Sequence, residues 1–205
     1  MAGRGGIAVS PGAASAPDAE PVTRASLESG ERRLLSRGGW ANPDVVLVVS
    51  PRGPIVVKDF GPRGRFVRKL LGPWLLGREL RAYRRLAGMP AVPRLLCRID
   101  AAAIALEYRP GVFLSRRLAG RLARGFVDEL AAVIEEMHRR GVVHLDLRHR
   151  SNVLAGEDDR PVVLDFASAL SFDPASVLGR LGILLFAPFD RWALEKWRVR
   201  LTPTD

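Results

Sequence analysis

The chain has 205 residues, of which 47% are hydrophobic and 26% are charged, and this balance excludes a wholly disordered protein. Lysine and arginine number 32 against 22 acidic residues, so the formal net charge is +10. The surface should therefore attract anions such as nucleotides, phosphorylated sugars, nucleic acid or acidic lipid headgroups. The single cysteine, Cys97, excludes an internal disulfide and any zinc site made of several cysteines.

The sequence contains no uncharged apolar run of about 18 residues, so we expect no membrane-spanning helix. Its N-terminus lacks the basic-then-apolar order of a secretory signal. These two features predict a cytoplasmic protein, with a peripheral position on the inner face of the membrane as the alternative.

Residues 1–30 are rich in glycine, alanine, proline and serine and hold almost no bulky apolar residues. This composition predicts a disordered tail, because such a segment cannot bury enough apolar surface to offset the entropy of ordering. Ordered structure is expected to begin near Arg32.

A hairpin and a helix are predicted next. Two β-branched runs, at residues 45–49 and 55–60, flank a turn rich in proline and glycine, which indicates antiparallel strands. Residues 75–86 place their apolar side chains at helical spacing. Glu79 lies on that apolar stripe and not on the arginine-rich face of the helix.

The remaining pattern predicts two further strands, then helices around a small hairpin. The strands fall near residues 94–99 and 102–108, and an apolar stripe predicts a helix that ends at Gly141. Short apolar runs at 153–154 and 162–166 predict the second hairpin.

The C-terminal part is expected to be helical. Residues 178–189 are apolar but too short to span a bilayer, and we expect them to pack on the rest of the fold. The alternative is that they enter a membrane interface beside basic groups. Residues 190–197 then predict a terminal amphipathic helix with two tryptophans.

Two oppositely charged residues sit at positions that the pattern predicts to be buried. Lys58 ends an apolar strand in a chain with only three lysines, and Glu79 lies on the buried stripe of the next helix. Each charge is costly to bury alone, so we expect the two side chains to form an ion pair.

Three oxygen-bearing side chains flank the second hairpin. Asp146 and Asn152 precede it, and Asp165 follows its last strand. Carboxylate and amide oxygens suit a hard divalent cation such as Mg²⁺. The alternative is that the two aspartates are ordinary turn or cap residues.

Taken in chain order, these residues and the strands and helices that carry them resemble the signature motifs of the protein-kinase-like superfamily. The narrower resemblance is to the small bacterial lipopolysaccharide (Kdo/heptose) kinases and the RIO-like group, carried by VHLDLR at 143–148 and VLDFASA at 163–169. The matching elements are Lys58 on its strand, Glu79 on its helix, the segment from His144 through Asp146 to Asn152, and Asp165-Phe166-Ala167.

The resemblance implies an α+β, bilobal, protein-kinase-like fold. The N-lobe, over residues 31–108, would be a small antiparallel sheet with one helix. The C-lobe, over residues 109–205, would be truncated and mostly helical, with the terminal amphipathic helix at its end.

It also implies an ATP- and Mg²⁺-dependent kinase that transfers the γ-phosphate to a hydroxyl acceptor. Lys58 would hold the α- and β-phosphates and Glu79 would orient Lys58. Asp146 would accept or orient the proton of the attacking hydroxyl. A hinge with Glu107 and Tyr108 would offer backbone groups to adenine. Asn152 and Asp165 would bind Mg²⁺.

The chain departs from the signature at several points. Asn152 follows Asp146 by six residues where the signature has five, so the loop must bulge, or Ser151 or a water replaces Asn152 on the metal. Ala167 stands where the signature's DFG motif has glycine, and alanine adopts positive φ values far less readily than glycine. No G-x-G-x-x-G is present, and the nearest candidate for a phosphate-covering loop is residues 36–40.

Only 40 residues follow Asp165, too few for the large helical platform that binds peptides in full protein kinases. The expected acceptor is therefore a small molecule, a lipid-linked sugar or an unusual protein partner. The main alternative is a nucleotide-binding pseudokinase or scaffold without turnover. A basic nucleic-acid or membrane-surface binder ranks last, because no nucleic-acid motif is present and no nucleic-acid partner is expected. The basic residues between 61 and 98 would form a solvated face or dock on an anionic surface.

None of the three histidines is expected to take part in the chemistry. His144 is expected to brace its own loop and the Asp165 turn, whereas His138 and His149 are expected to be solvated. Cys97 is expected to be a small core residue.

Overall fold

The computed structural model describes residues 22–25, 31–50 and 53–201, so most of the predicted tail over residues 1–30 lies outside the described residues. Its N-terminal part is a five-stranded sheet in the order β1-β2-β3-β5-β4, and every neighbouring pair is antiparallel. The predicted hairpin is confirmed as β2 and β3. The strands are β1 (Glu31–Ser36), β2 (Asp44–Ser50), β3 (Gly53–Asp59), β4 (Leu95–Arg98) and β5 (Ala103–Glu107).

The first helix, α1 (Gly72–Arg85), follows a π-type turn at Val67–Leu71. Pro73 lies directly after the π-type turn, where the Gly72 N–H bonds the Val67 oxygen and proline itself has no N–H to donate. The predicted apolar stripe is confirmed as its buried face, and Glu79 is buried with it. The helix ends before Gly88, which takes a positive φ of 80°.

The C-terminal part holds two more helices and two small sheets. The helices are α2 (Phe126–Arg139) and α3 (Val177–Leu201). One sheet has the order β6-β8-β9 and the other pairs β7 with β10, and all these pairs are antiparallel. The strands are β6 (Gly111–Phe113), β7 (Val142–Val143), β8 (Val153–Gly156), β9 (Pro161–Val163) and β10 (Leu170–Ser171).

The two C-terminal segments predicted as separate helical pieces form one continuous helix. Pro188 lies inside α3 on its exposed side. The opposite side is buried through Ala187, Ala193 and Trp197, and this packing holds the helix together across the proline. Among the described residues, no helix is both long enough and apolar enough to cross a membrane.

One hydrophobic core joins the sheet to α1, α2 and α3. Phe60 follows β3, Leu80 comes from α1, Ile134 from α2 and Trp197 from α3, and all belong to one buried cluster. A smaller cluster that includes Val57 covers the other face of the sheet. The architecture is therefore α+β, with an antiparallel N-terminal sheet and a mostly helical C-terminal region.

Candidate active site

Lys58 joins the sheet to α1 and to the turn after β9. Successive strand residues point to opposite faces; Val57 enters the outer cluster, so Lys58 points toward α1. Its Nζ lies 2.5 Å from Oε1 of Glu79 and 2.8 Å from Oδ1 of Asp165. The predicted ion pair is confirmed, and the second carboxylate comes from 107 residues away in the chain.

Burial and electrostatic attraction shift the pKa values of Lys58, Glu79 and Asp165. Burial lowers the pKa of Lys58, but the attraction of Glu79 and Asp165 outweighs it, so the pKa lies above its ordinary value. The attraction of Lys58 holds the pKa of Asp165 below its ordinary value. Burial raises the pKa of Glu79, and Lys58 opposes that rise only in part. Lys58 is therefore cationic and Asp165 anionic at neutral pH.

The backbone at Asp165 holds its carboxylate in place. Asp165 has φ 60° and ψ 81°, a left-handed conformation that few non-glycine residues adopt. The next residue, Phe166, is fully buried, with its ring 5.1 Å from Tyr83 and 5.0 Å from His144. Phe166 thus fixes the turn from inside. Ala167 does not have a positive φ, so the alanine at the signature's glycine position fits without backbone strain.

The loop from Asp146 to Asn152 ends in a tight 3₁₀ turn at Arg150–Asn152. Nδ2 of Asn152 donates to the backbone oxygen and to Oδ2 of Asp146, each at 2.8 Å. Both acceptors are oxygens, so the amide nitrogen faces Asp146, and Oδ1 accepts the Ser151 hydroxyl at 3.3 Å. The loop therefore brings Asn152 beside Asp146, six residues earlier in the chain.

His144 braces the loop, as the sequence predicted. Its Nδ1 accepts the Asp146 N–H at 3.3 Å, so Nε2 carries the proton and donates to the Leu164 oxygen at 2.9 Å. One buried imidazole thus connects the two loops that carry Asp146 and Asp165.

Asp190 on α3 is a site residue that the sequence reasoning missed. It is fully buried and accepts the backbone N–H groups of His144 and Leu145 at 2.8 Å each. Nε2 of His138 lies 2.9 Å from the same carboxylate. The prediction of a solvated His138 is therefore wrong: it is buried on Asp190, whereas His149 is exposed.

Asp190 holds Leu145 in a left-handed conformation with φ 69°, one residue before Asp146. Replacing Asp190 with asparagine should lower the free energy of unfolding by about 2–4 kcal/mol, because an amide cannot accept all these buried donors. Urea unfolding would measure the loss. The control is Asp159→Asn at an exposed turn, and equal stability of the two variants would contradict this role.

Other residues of α3 brace the same loop. The Trp197 indole N–H donates to the Leu147 oxygen at 2.8 Å, and Lys196 donates to the Arg148 oxygen at 2.6 Å. The Arg148 guanidinium lies 3.8 Å from the ring centre of Trp192. The terminal helix therefore fixes the position of Asp146 through its neighbours.

A cavity of about 620 Å³ brings these groups together. Lys58, Glu79, Asp146, Asn152 and Asp165 all line it. The turn between β1 and β2 also lines it, so four of the five residues 36–40, the candidate for a phosphate-covering loop, lie at this cavity.

Glu107 and Tyr108 do not line this cavity. The Glu107 carboxylate accepts the Arg94 N–H at 3.0 Å, and its own backbone N–H donates to the Arg94 oxygen at 2.9 Å. Arg109 lies 3.9 Å from the same carboxylate. The assignment of these two residues to an adenine site stays a prediction.

Comparison of the chain with protein-family models and with curated proteins gives no match. The site is therefore interpreted from its own geometry.

Proposed function

We propose that the protein is an ATP- and Mg²⁺-dependent phosphotransferase with a bilobal, protein-kinase-like fold. The observation that carries the proposal is the Lys58 ammonium, held between Glu79 and Asp165 at the wall of a cavity that Asp146 and Asn152 also line. A buried cation fixed by carboxylates from two separate elements suits a triphosphate, and phosphoryl transfer depends mainly on positioning and charge neutralisation.

In this proposal the protein's own groups have separate tasks. Lys58 binds the α- and β-phosphates, and the buried Glu79 carboxylate keeps the ammonium in place through their ion pair. Asp146 accepts or orients the proton of the acceptor hydroxyl. Its Oδ2 is bound by Asn152, which leaves Oδ1 for the acceptor.

The side chains at the cavity fit a magnesium ion shared with phosphates. Lys58 and the Ala167 N–H both contact Oδ1 of Asp165, which leaves Oδ2 for a cation, and Asn152 turns Oδ1 away from Asp146. Among the residues the structure describes, no three His, Cys, Asp or Glu side chains cluster as a metal site. Asn152 and Asp165 would therefore share the ion with phosphate oxygens and water. When bound, Mg²⁺ would neutralise charge on the triphosphate.

The turn between β1 and β2 supplies a test of the phosphate-binding loop. A Cβ on Gly38 would lie 2.2 Å from the Asn42 oxygen, whereas one on Gly39 would meet nothing closer than 4.0 Å. Gly38→Ala should therefore displace the loop and weaken ATP binding about tenfold, and Gly39→Ala should leave it unchanged. Fluorescence titration with an ATP analogue would measure both variants, and equal affinities would remove the loop from the nucleotide site.

The acceptor is proposed from the narrower resemblance to lipopolysaccharide kinases and the RIO-like group. Candidates are a lipid-linked sugar, a small molecule or a protein hydroxyl. The experiment is ADP formation from ATP and Mg²⁺ by the purified protein in the presence of each acceptor class. Transfer of labelled γ-phosphate to one of them would support the proposal.

The bond between Asn152 and Asp146 favours one alternative, a nucleotide-binding pseudokinase or scaffold. An amide that stays on Oδ2 of Asp146 makes the carboxylate a weaker base for the proton that it should receive. This reading predicts a thermal shift with ATP but no turnover with any divalent metal and any acceptor.

A further inference from the structure

The first four turns of α3 expose a continuous apolar face. Its side chains recur three or four residues apart, as expected for one side of a helix, and are 55% to 81% exposed. We refer to them as the α3 face. Its members are Val177, Leu178, Leu181, Leu184, Leu185, Phe189 and Trp192.

The opposite side of the helix is already occupied by the core. Ala187, Ala193 and Leu194 are buried, and Asp190 is bound to the loop before Asp146. Since the helix is fixed through that side, the α3 face cannot turn inward without breaking these contacts. An exposed apolar patch of this extent is typical of an interaction surface.

The charges beside the α3 face indicate which chemical class of partner this surface would bind. Arg180 and Arg191 are exposed along one flank, and Arg148 lies over Trp192 at its end. Between 177 and 194 the one acidic residue, Asp190, has no exposed surface, and the exposed Glu195 that follows lies 3.7 Å from Arg198. The flank is therefore cationic, and the partner should combine an apolar layer with negative charge.

A second copy of the chain fits this surface poorly. Two α3 faces packed antiparallel would place the Arg180 and Arg191 flanks side by side, and like charges at an interface disfavour association. A bilayer with anionic headgroups supplies both requirements, since the apolar side chains would enter the acyl boundary while the arginines meet the headgroups.

We propose that the α3 face binds the surface of an anionic phospholipid bilayer, with Arg180 and Arg191 at the headgroups. The proposal does not depend on nucleotide binding or turnover. Trp192 lies under Arg148, and Arg148 is two residues from Asp146, so a bilayer on this face would lie near the loop that carries Asp146.

The test is sedimentation of the full chain with vesicles. We expect binding to vesicles of equal parts phosphatidylcholine and phosphatidylglycerol, and much weaker binding to phosphatidylcholine alone. Leu181→Asn/Leu185→Asn and Arg180→Gln/Arg191→Gln should each lower the partition coefficient about tenfold. The matched controls are Val112→Asn/Phe113→Asn and Arg116→Gln/Arg121→Gln, which alter exposed residues elsewhere and should change it less than about twofold.

Three results would overturn the proposal. The first is no preference for anionic vesicles, and the second is equal binding by the α3 variants and their controls. The third is a stable dimer that Leu181→Asn/Leu185→Asn dissociates, which would assign the face to a second copy. Circular dichroism checks that each variant folds, and the arginine pair decides if the leucine pair does not fold.

Discussion

Replacing Asp146 with asparagine should lower the rate of phosphoryl transfer by roughly 10²–10⁴-fold, the range typical of a positioned general base. The substitution keeps the size of the side chain and an oxygen that can accept the Asn152 amide. It removes only the charge and the ability to take a proton. ATP affinity should remain within about threefold, because Lys58 and Asp165 are unchanged.

Single-turnover transfer of labelled γ-phosphate measures the chemical step, and titration with a nonhydrolysable analogue measures affinity. Asp173→Asn, at an exposed position outside the cavity, is the control and should transfer phosphate at the normal rate. Turnover retained in Asp146→Asn would remove Asp146 from the proposed role and assign the aspartate to the loop alone.

Replacing Lys58 with methionine should lower the free energy of unfolding by about 3–5 kcal/mol at neutral pH. The variant leaves Glu79, 2% exposed, without its cation. Lys69→Met, at an exposed position, should change stability by less than about 0.5 kcal/mol. Lys58→Met/Glu79→Leu should recover most of the loss, because it removes both buried charges.

The loss in Lys58→Met should also depend on pH. Burial raises the pKa of Glu79 in the folded protein, and Lys58 opposes that rise, so the variant raises it further above the unfolded value. A carboxyl with a raised folded pKa favours folding below its unfolded pKa, and this contribution is lost as pH rises through the folded value. Urea unfolding between about pH 5 and pH 8 should show that the difference in free energy of unfolding between Lys58→Met and the original protein becomes smaller toward low pH. A loss independent of pH, or no recovery in the double variant, would contradict this description of the pair.

Much of the α+β architecture and the central pair could be predicted from the sequence because periodicity reports burial. Glu79 falls on the apolar stripe of its helix, and Lys58 falls at a buried position of its strand. Two opposite charges that are both buried are least costly when they form an ion pair. Asp190 carries the same signal, three residues after Ala187 and seven before Trp197 on one buried stripe. Pro188 separates the two predicted segments, so Asp190 falls at the start of the second one and the stripe that buries it is interrupted in the sequence pattern.

Other features of the structure could not be predicted, because no pattern in the neighbouring sequence indicates them. Strand β1 is exposed along its whole length, so it shows no alternation of apolar and polar residues. The burial of His138 depends on Asp190, which lies 52 residues away. Residues 178–189 were expected to pack on the rest of the fold, yet much of their surface is exposed, because one side of a helix is enough to hold it in place.

Calorimetric titration of the purified chain with ATP tests the central claim most directly, namely that Lys58, Glu79 and Asp165 form a triphosphate site with magnesium. With Mg²⁺ present, the account predicts saturable binding of one nucleotide per chain, and a weaker affinity once the metal is chelated. Absence of binding heat under both conditions, at several temperatures and with a protein shown to be folded, would contradict it.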